Sequence, residues 1–83
     1  VVEALAAADA AGCADWMRAT IAAELAGFDH RTIDRLVDGS RRHARRRVDE
    51  MTAAGEQLRE LGVPPRVTDA ARDLLMSIRD EDQ

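Results

Sequence analysis

Apolar and small residues recur at helical spacing from Thr32 to Leu61, the longest periodic stretch in the chain. The 3.6-residue period holds for about eight turns, so the pattern predicts one long helix over 32–61, with a bend near Gly39. The stripe consists of Ile33, Leu36, Val37, Ser40, Ala44, Val48, Met51, Gly55, Leu58 and Leu61. Its small members favour close approach of a second helix.

Three shorter helices are predicted around this central one. The first ends at Gly12, which is expected to adopt a left-handed cap, and the second runs from about Asp15 to Gly27. Gly62 ends the long helix, and Pro65 suits the first turn of the last one. No stretch of period two occurs. The sequence therefore predicts an all-α fold of about four helices in a single domain, residues 1–83.

Composition limits the size of the core and the range of partners. The chain has 83 residues and one cysteine, Cys13, and all 12 of its basic residues are arginine. A domain of this length buries only about 60% of its unfolded surface, so a partner surface would help to stabilise it. The lone cysteine predicts a reducing, cytoplasmic setting, and no apolar run is long enough to predict a membrane span.

Charge is unevenly distributed along the chain. The net charge is −4, which argues against a general nucleic-acid binder, so no nucleic acid is expected as a partner. Residues 1–30 sum to −4, residues 31–47 to +5 and residues 48–83 to −5. The functional question is therefore what the basic run 41–47 does.

A helical wheel divides this basic run into two flanks. Arg42 and Arg45 lie with Asp38 and Asp49 on one flank, where pairs at i,i+4 predict a solvated face. The other flank holds the predicted substrate-binding residues, which are His43, Arg46, Arg47 and Glu50. An imidazole and two guanidiniums beside the apolar stripe suit a carboxylate or phosphate ligand. The alternative is that this flank also is only a solvated, ion-paired surface.

No complete active site is present in the sequence. Cys13 is expected to be a buried structural thiol, and Trp16 and Met17 are expected to pack in the core. Neither a metal-binding spacing nor a glycine-rich phosphate loop occurs. We therefore predict neither catalytic nor metal-binding residues, and the cofactor-binding residues stay unassigned.

The order of features in the second half of the chain resembles the C-terminal helical domain of NAD(P)-dependent oxidoreductases. These are similar to 6-phosphogluconate dehydrogenase and the β-hydroxyacid dehydrogenases. The resemblance covers nearly the whole chain. It lies chiefly in the run 39–51 and in the stretch 58–65, and residues 10–12 with Asp15 and Trp16 also resemble the helix–turn–helix entry of the group. In that group a long helix has a His or Lys, then an Arg, then Glu-Met, and ends in a Gly turn. Those places fall here at His43, Arg46, Glu50, Met51 and Gly62.

The resemblance implies a dimerisation and substrate-pocket domain of a dehydrogenase or reductase. Its substrate would be a small hydroxy compound bearing a carboxylate or phosphate, and NAD or NADP would be used by the full-length protein. The nucleotide-binding domain and the catalytic lysine of the group would precede Val1, so the chain is expected to be the C-terminal part of a longer protein. Alone it is expected to be inactive.

Two other functions stay open. One is a helical protein–protein interaction module without catalytic activity, and the other is a small nucleic-acid binder. A homodimer is expected in addition, because Val1, Val2 and Leu5 have little to cover them inside so thin a domain.

Overall fold

The computed structural model describes residues 1–81, and it folds them into five α-helices. The helices are α1 (Val2–Ala10), α2 (Ala14–Ala26), α3 (Thr32–Arg42), α4 (Ala44–Glu60) and α5 (Arg66–Glu81). No strand occurs within this described range, so the predicted all-α class is confirmed. The predicted long helix over 32–61 is present as α3 and α4, which are separated by a single residue.

The division of the long helix lies at His43, four residues beyond the predicted bend. His43 has φ −117° and ψ 21°, outside the helical range. The side chain of Arg47 turns back from α4 onto α3, where Nη1 donates to the Ser40 hydroxyl at 3.4 Å. A Cβ on Gly39 would stand 3.2 Å from Nη2 of Arg47, so the missing side chain makes room for the guanidinium. Gly39 and Ser40 thus form the inner side of the bend.

The α4–α5 pair forms most of the core. The buried residues of α4 are Ala44, Val48, Gly55 and Leu58. Pro65, just before α5, and Leu75, within α5, are also buried. This confirms the second half of the predicted stripe. At Gly55 the helices are close, since a Cβ there would stand 2.9 Å from Oδ1 of Asp69. That carboxylate pairs across the interface with Arg59 and, at 3.8 Å, with Arg72 of its own helix.

The prediction that the first half of the stripe packs in the core is wrong. Ile33 is 66% exposed, and Leu36 and Val37 are 45% and 49% exposed. Because the chain bends at His43, the face of α3 that would continue the α4 core no longer faces α5. Only Thr32, at the start of α3, is fully buried.

Two glycines end helices as predicted. Gly12 and Gly62 have φ values of 79° and 76°, in the left-handed region. After α1, Cys13 N–H bonds Ala8 O at 2.8 Å and Gly12 N–H bonds Asp9 O at 3.1 Å. The same pair of bonds follows α4, from Val63 to Leu58 and from Gly62 to Arg59. Both ends are therefore Schellman motifs.

The start of α5 takes its cap from the other end of the chain. Pro65, immediately before α5, has no side-chain oxygen to offer the first N–H groups of the helix. Glu3 of α1 supplies it: Val67 N–H donates to Oε2 at 2.7 Å and Thr68 N–H to Oε1 at 2.9 Å. The Thr68 hydroxyl also donates to Oε1. These bonds hold α1 against the turn between α4 and α5.

The five helices form a flat and open arrangement. Its extents are 41 × 31 × 16 Å, and it exposes 6151 Å². A compact monomer of 9.1 kDa exposes about 4,900 Å² by the usual scaling with mass. No residue of α2 is buried, and a largely apolar cavity of about 290 Å³ lies between the α1–α2 pair and α4. None of the described helices is long and apolar enough to span a membrane.

We predict that Glu3→Gln lowers the unfolding midpoint at neutral pH by several degrees. The Thr68 hydroxyl, followed by the Val67 N–H, lowers the pKa of Glu3 below its ordinary value of 4.5. A carboxyl with a depressed folded pKa stabilises the fold above its unfolded pKa, and this stabilisation is lost as pH falls through the folded pKa. Thermal unfolding of the wild type and of Glu3→Gln, at neutral pH and below pH 4.5, measures the effect.

The matched control for this substitution is Glu24→Gln, which makes the same change of charge on exposed α2. The difference between wild type and Glu3→Gln should shrink as pH falls below 4.5. Equal midpoints for the two variants at neutral pH would show that the Glu3 cap does not stabilise the fold.

Candidate functional site

The bend between α3 and α4 places the basic run at an exposed corner of the fold. Arg41 and Arg42 end α3, His43 is the residue between the helices, and α4 begins at Ala44, just before Arg45. The basic run is therefore not one continuous helix. The helical wheel, which assumes one continuous helix, does not account for the break at His43.

The predicted substrate-binding residues only partly come together. The Nε atom of Arg46 lies 3.3 Å from Oε1 of Glu50, and both side chains are more than half exposed. His43 is exposed at the bend, just before the helix that bears this pair. Arg47 is half-buried and directed back to Ser40, so it supports the bend. The exposed part of the predicted site is thus His43, Arg46 and Glu50.

A second group of arginines lines a cavity next to the bend. The cavity has a volume of about 130 Å³. We call it the arginine cavity; its lining residues are Arg41, Arg42, Ala44, Arg45 and Arg79. Arg79 comes from the last turn of α5, 34 positions after Arg45. The wheel placed Arg42 and Arg45 together, but nothing in the sequence pattern indicated that Arg79 would join them.

Half of the arginine cavity lacks nearby carboxylates. Arg42 pairs with Asp38 at 3.2 Å, which confirms one predicted i,i+4 pair, and Arg79 pairs with Asp80 at 3.0 Å. Within residues 1–81, no carboxylate lies within 4.0 Å of Arg41 or Arg45; the predicted Arg45–Asp49 pair is not formed. Two of the four guanidiniums therefore face the cavity and solvent without an ion pair in the described part of the chain.

Two expectations for the first helices are wrong. Cys13 is exposed, and Trp16 is 63% exposed, whereas Met17 is half-buried. The reason is that α2 packs mainly on the alanine-rich α1, so its large side chains remain at the surface. Among the described residues, no group of three or more His, Cys, Asp or Glu side chains is placed to hold a metal ion.

Comparison with known proteins gives one match. The family model of a domain of unknown function, DUF1932, matches residues 8–78. The matched range includes the bend and all the residues of both flanks. No curated protein and no solved structure gives a significant match to the chain.

We predict that the chain binds duplex DNA only weakly. Arg46 is paired with Glu50, and Arg47 bonds Ser40. The other three arginines of the basic run line one small cavity, so the run does not form a strip along a DNA backbone. Titration of a fluorescent duplex at low salt should give a dissociation constant weaker than about 10⁻⁵ M. A tight isotherm that weakens steeply with added salt would instead identify a nucleic-acid binder.

Proposed function

Because this chain belongs to the DUF1932 family over residues 8–78, we propose that it is the dimerisation and substrate-pocket domain of an NAD(P)-dependent dehydrogenase or reductase. Domains of this family follow NAD(P)-binding domains in proteins similar to 6-phosphogluconate dehydrogenase. The proposed substrate is a small hydroxy compound that bears a carboxylate or a phosphate. The intact enzyme has its nucleotide-binding domain before Val1.

The observation that best supports this proposal is the exposed group formed by His43, Arg46 and Glu50. Glu50 holds the Arg46 guanidinium through Nε at 3.3 Å, and 64% of the Arg46 side chain remains exposed. The terminal nitrogens of the guanidinium are then available to an anionic oxygen, in the planar geometry that carboxylates and phosphates accept. His43, which is exposed three positions earlier in the chain, adds an imidazole that donates or accepts a hydrogen bond.

The residues of this chain do not fit the dinucleotide itself. A dinucleotide site of the usual kind needs a strand, a glycine-rich turn and a helix, and the described residues contain no strand. The proposed NAD or NADP, which supplies the hydride chemistry, is therefore held by a separate domain. This chain binds and orients the anionic group of the substrate, and its apolar surface helps to exclude water from the cleft.

We predict that Arg46→Ala in the intact enzyme raises KM for a carboxylate or phosphate substrate by about 10-fold. This is the effect of losing one charge-assisted hydrogen bond worth about 1.5 kcal/mol. The fold should be retained, because the Arg46 side chain is mostly exposed. Steady-state kinetics measures the effect. The control is Arg35→Ala, which removes the same charge from an exposed position on α3. Wild-type KM in Arg46→Ala would place Arg46 on a merely solvated face.

The second candidate function, a protein–protein interaction module, is favoured by the exposed apolar surface. Val1 and Val2 are 74% and 82% exposed, and Ile33 is 66% exposed. The accessible surface of 6151 Å² exceeds that expected for a compact monomer by about 1,200 Å². A stable interface buries about 800 Å² on each partner, so the excess is large enough to form one. A homodimer of the enzyme domain accounts for the same surface, so oligomeric state separates the two candidates.

We predict a homodimer at micromolar concentration, with the Val2 surface in its interface. Val2→Glu should raise the dimer dissociation constant at least tenfold, because the interface would then bury an unpaired carboxylate. Ala23→Glu makes a comparable change on the exposed surface of α2 and serves as control. Sedimentation equilibrium measures both. A monomer across the concentration range would exclude the self-association on which the enzyme-domain proposal relies.

A further inference from the structure

The arginine cavity brings four arginines together in the described part of the fold. It is formed by three helices: Arg41 and Arg42 lie at the end of α3, Arg45 at the start of α4 and Arg79 at the end of α5. This arrangement is separate from the group of His43, Arg46 and Glu50 on which the proposed substrate pocket rests. It needs its own explanation.

The balance of charge around this cavity favours a dianion. Four guanidiniums line it, and two carboxylates, of Asp38 and Asp80, pair with two of them. About two positive charges therefore remain uncompensated by the described residues. Like charges around one cavity repel one another, and a bound anion is attracted to all of them. A monoanion would leave part of the excess in place, whereas a phosphate group has a charge of about −1.5 to −2 at neutral pH.

The shape and size of the cavity favour one compact anionic group. Its volume is about 130 Å³, and it is open to solvent on one side. Ala44 is 3% exposed and contributes only a methyl group, so the arginines dominate the lining. Guanidiniums approach phosphate oxygens in pairs through their planar N–H groups. The remainder of a larger ligand would extend from the open side.

We propose that the arginine cavity binds the phosphate group of a phosphorylated small molecule. The site goes beyond the proposed dehydrogenase role, because it uses other residues and needs no nucleotide domain. Free phosphate and a phosphate monoester share this chemistry, and the titrations below separate them.

The first test is calorimetric titration of the chain at constant ionic strength. Inorganic phosphate, glycerol phosphate and acetate serve as probes, each up to about 10 mM. Both phosphates should bind with a 1:1 stoichiometry, and acetate should bind at least tenfold more weakly. Tighter binding of glycerol phosphate identifies a monoester as the natural ligand, and equal binding identifies free phosphate. No binding of either phosphate, or equal binding of acetate, overturns the proposal.

The second test locates the site by substitution. Arg45→Gln and Arg79→Gln should each weaken phosphate binding at least tenfold, the effect of one lost charge-assisted bond. Arg35→Gln removes the same charge from α3 outside the cavity and should change affinity less than about twofold, because salt screens exposed charges beyond about 8 Å. An equal loss in Arg35→Gln would show non-specific attraction and overturn the assignment.

A conservative variant keeps this test independent of folding. Arg79→Lys preserves the charge but not the planar fork, so it should bind phosphate with an affinity between those of wild type and Arg79→Gln. Circular dichroism verifies that each variant is folded, and a variant that unfolds is replaced by its lysine counterpart. Wild-type affinity in Arg79→Lys and in both glutamine variants would exclude the arginine cavity as the site.

Discussion

The position of the first two helices depends on the bonds that Glu3 accepts from the start of α5. The helix begins after two prolines, whose side chains contain no oxygen, so its first N–H groups lack a local cap. The carboxylate of Glu3 accepts from Val67 and Thr68 and complements the positive end of the helix dipole. Apolar packing alone would orient the first helices weakly, since α2 buries no residue and α1 buries only Ala8. A directional, charged bond therefore determines how the α1–α2 pair sits on the α4–α5 core.

The same weakness of packing explains why the fold is open. Alanine dominates α1 and α2, so these helices approach closely but remove little apolar area from water. The larger side chains of α2 and α3, among them Trp16, Leu25 and Ile33, remain at the surface. A domain that exposes such residues is stabilised when another surface covers them. The proposed homodimer would supply such a surface.

The basic run around the bend at His43 forms two groups with different chemistry. In one, Arg46 is held by Glu50 and remains exposed; in the other, Arg45 and Arg79 line a small cavity together. Arg47 belongs to neither group, because its guanidinium fills the inner side of the bend over Gly39. Helical spacing alone already separates Arg42 and Arg45 from Arg46. The tertiary structure adds Arg79 of α5 to the first group.

Sequence alone determined the features that depend on a few neighbouring residues. The all-α class follows from the period of the apolar positions, the caps at Gly12 and Gly62 follow from the left-handed backbone that glycine permits, and the core positions from Ala44 to Leu58 follow from helical spacing. The exposed pair of Arg46 and Glu50 was predictable for the same reason. Only the tertiary structure decided where the long helix bends, which face of α3 is exposed, that Arg79 joins Arg45, and that Glu3 caps a helix 64 positions later. Those features depend on contacts between segments distant in sequence, whose geometry no local period or capping preference encodes.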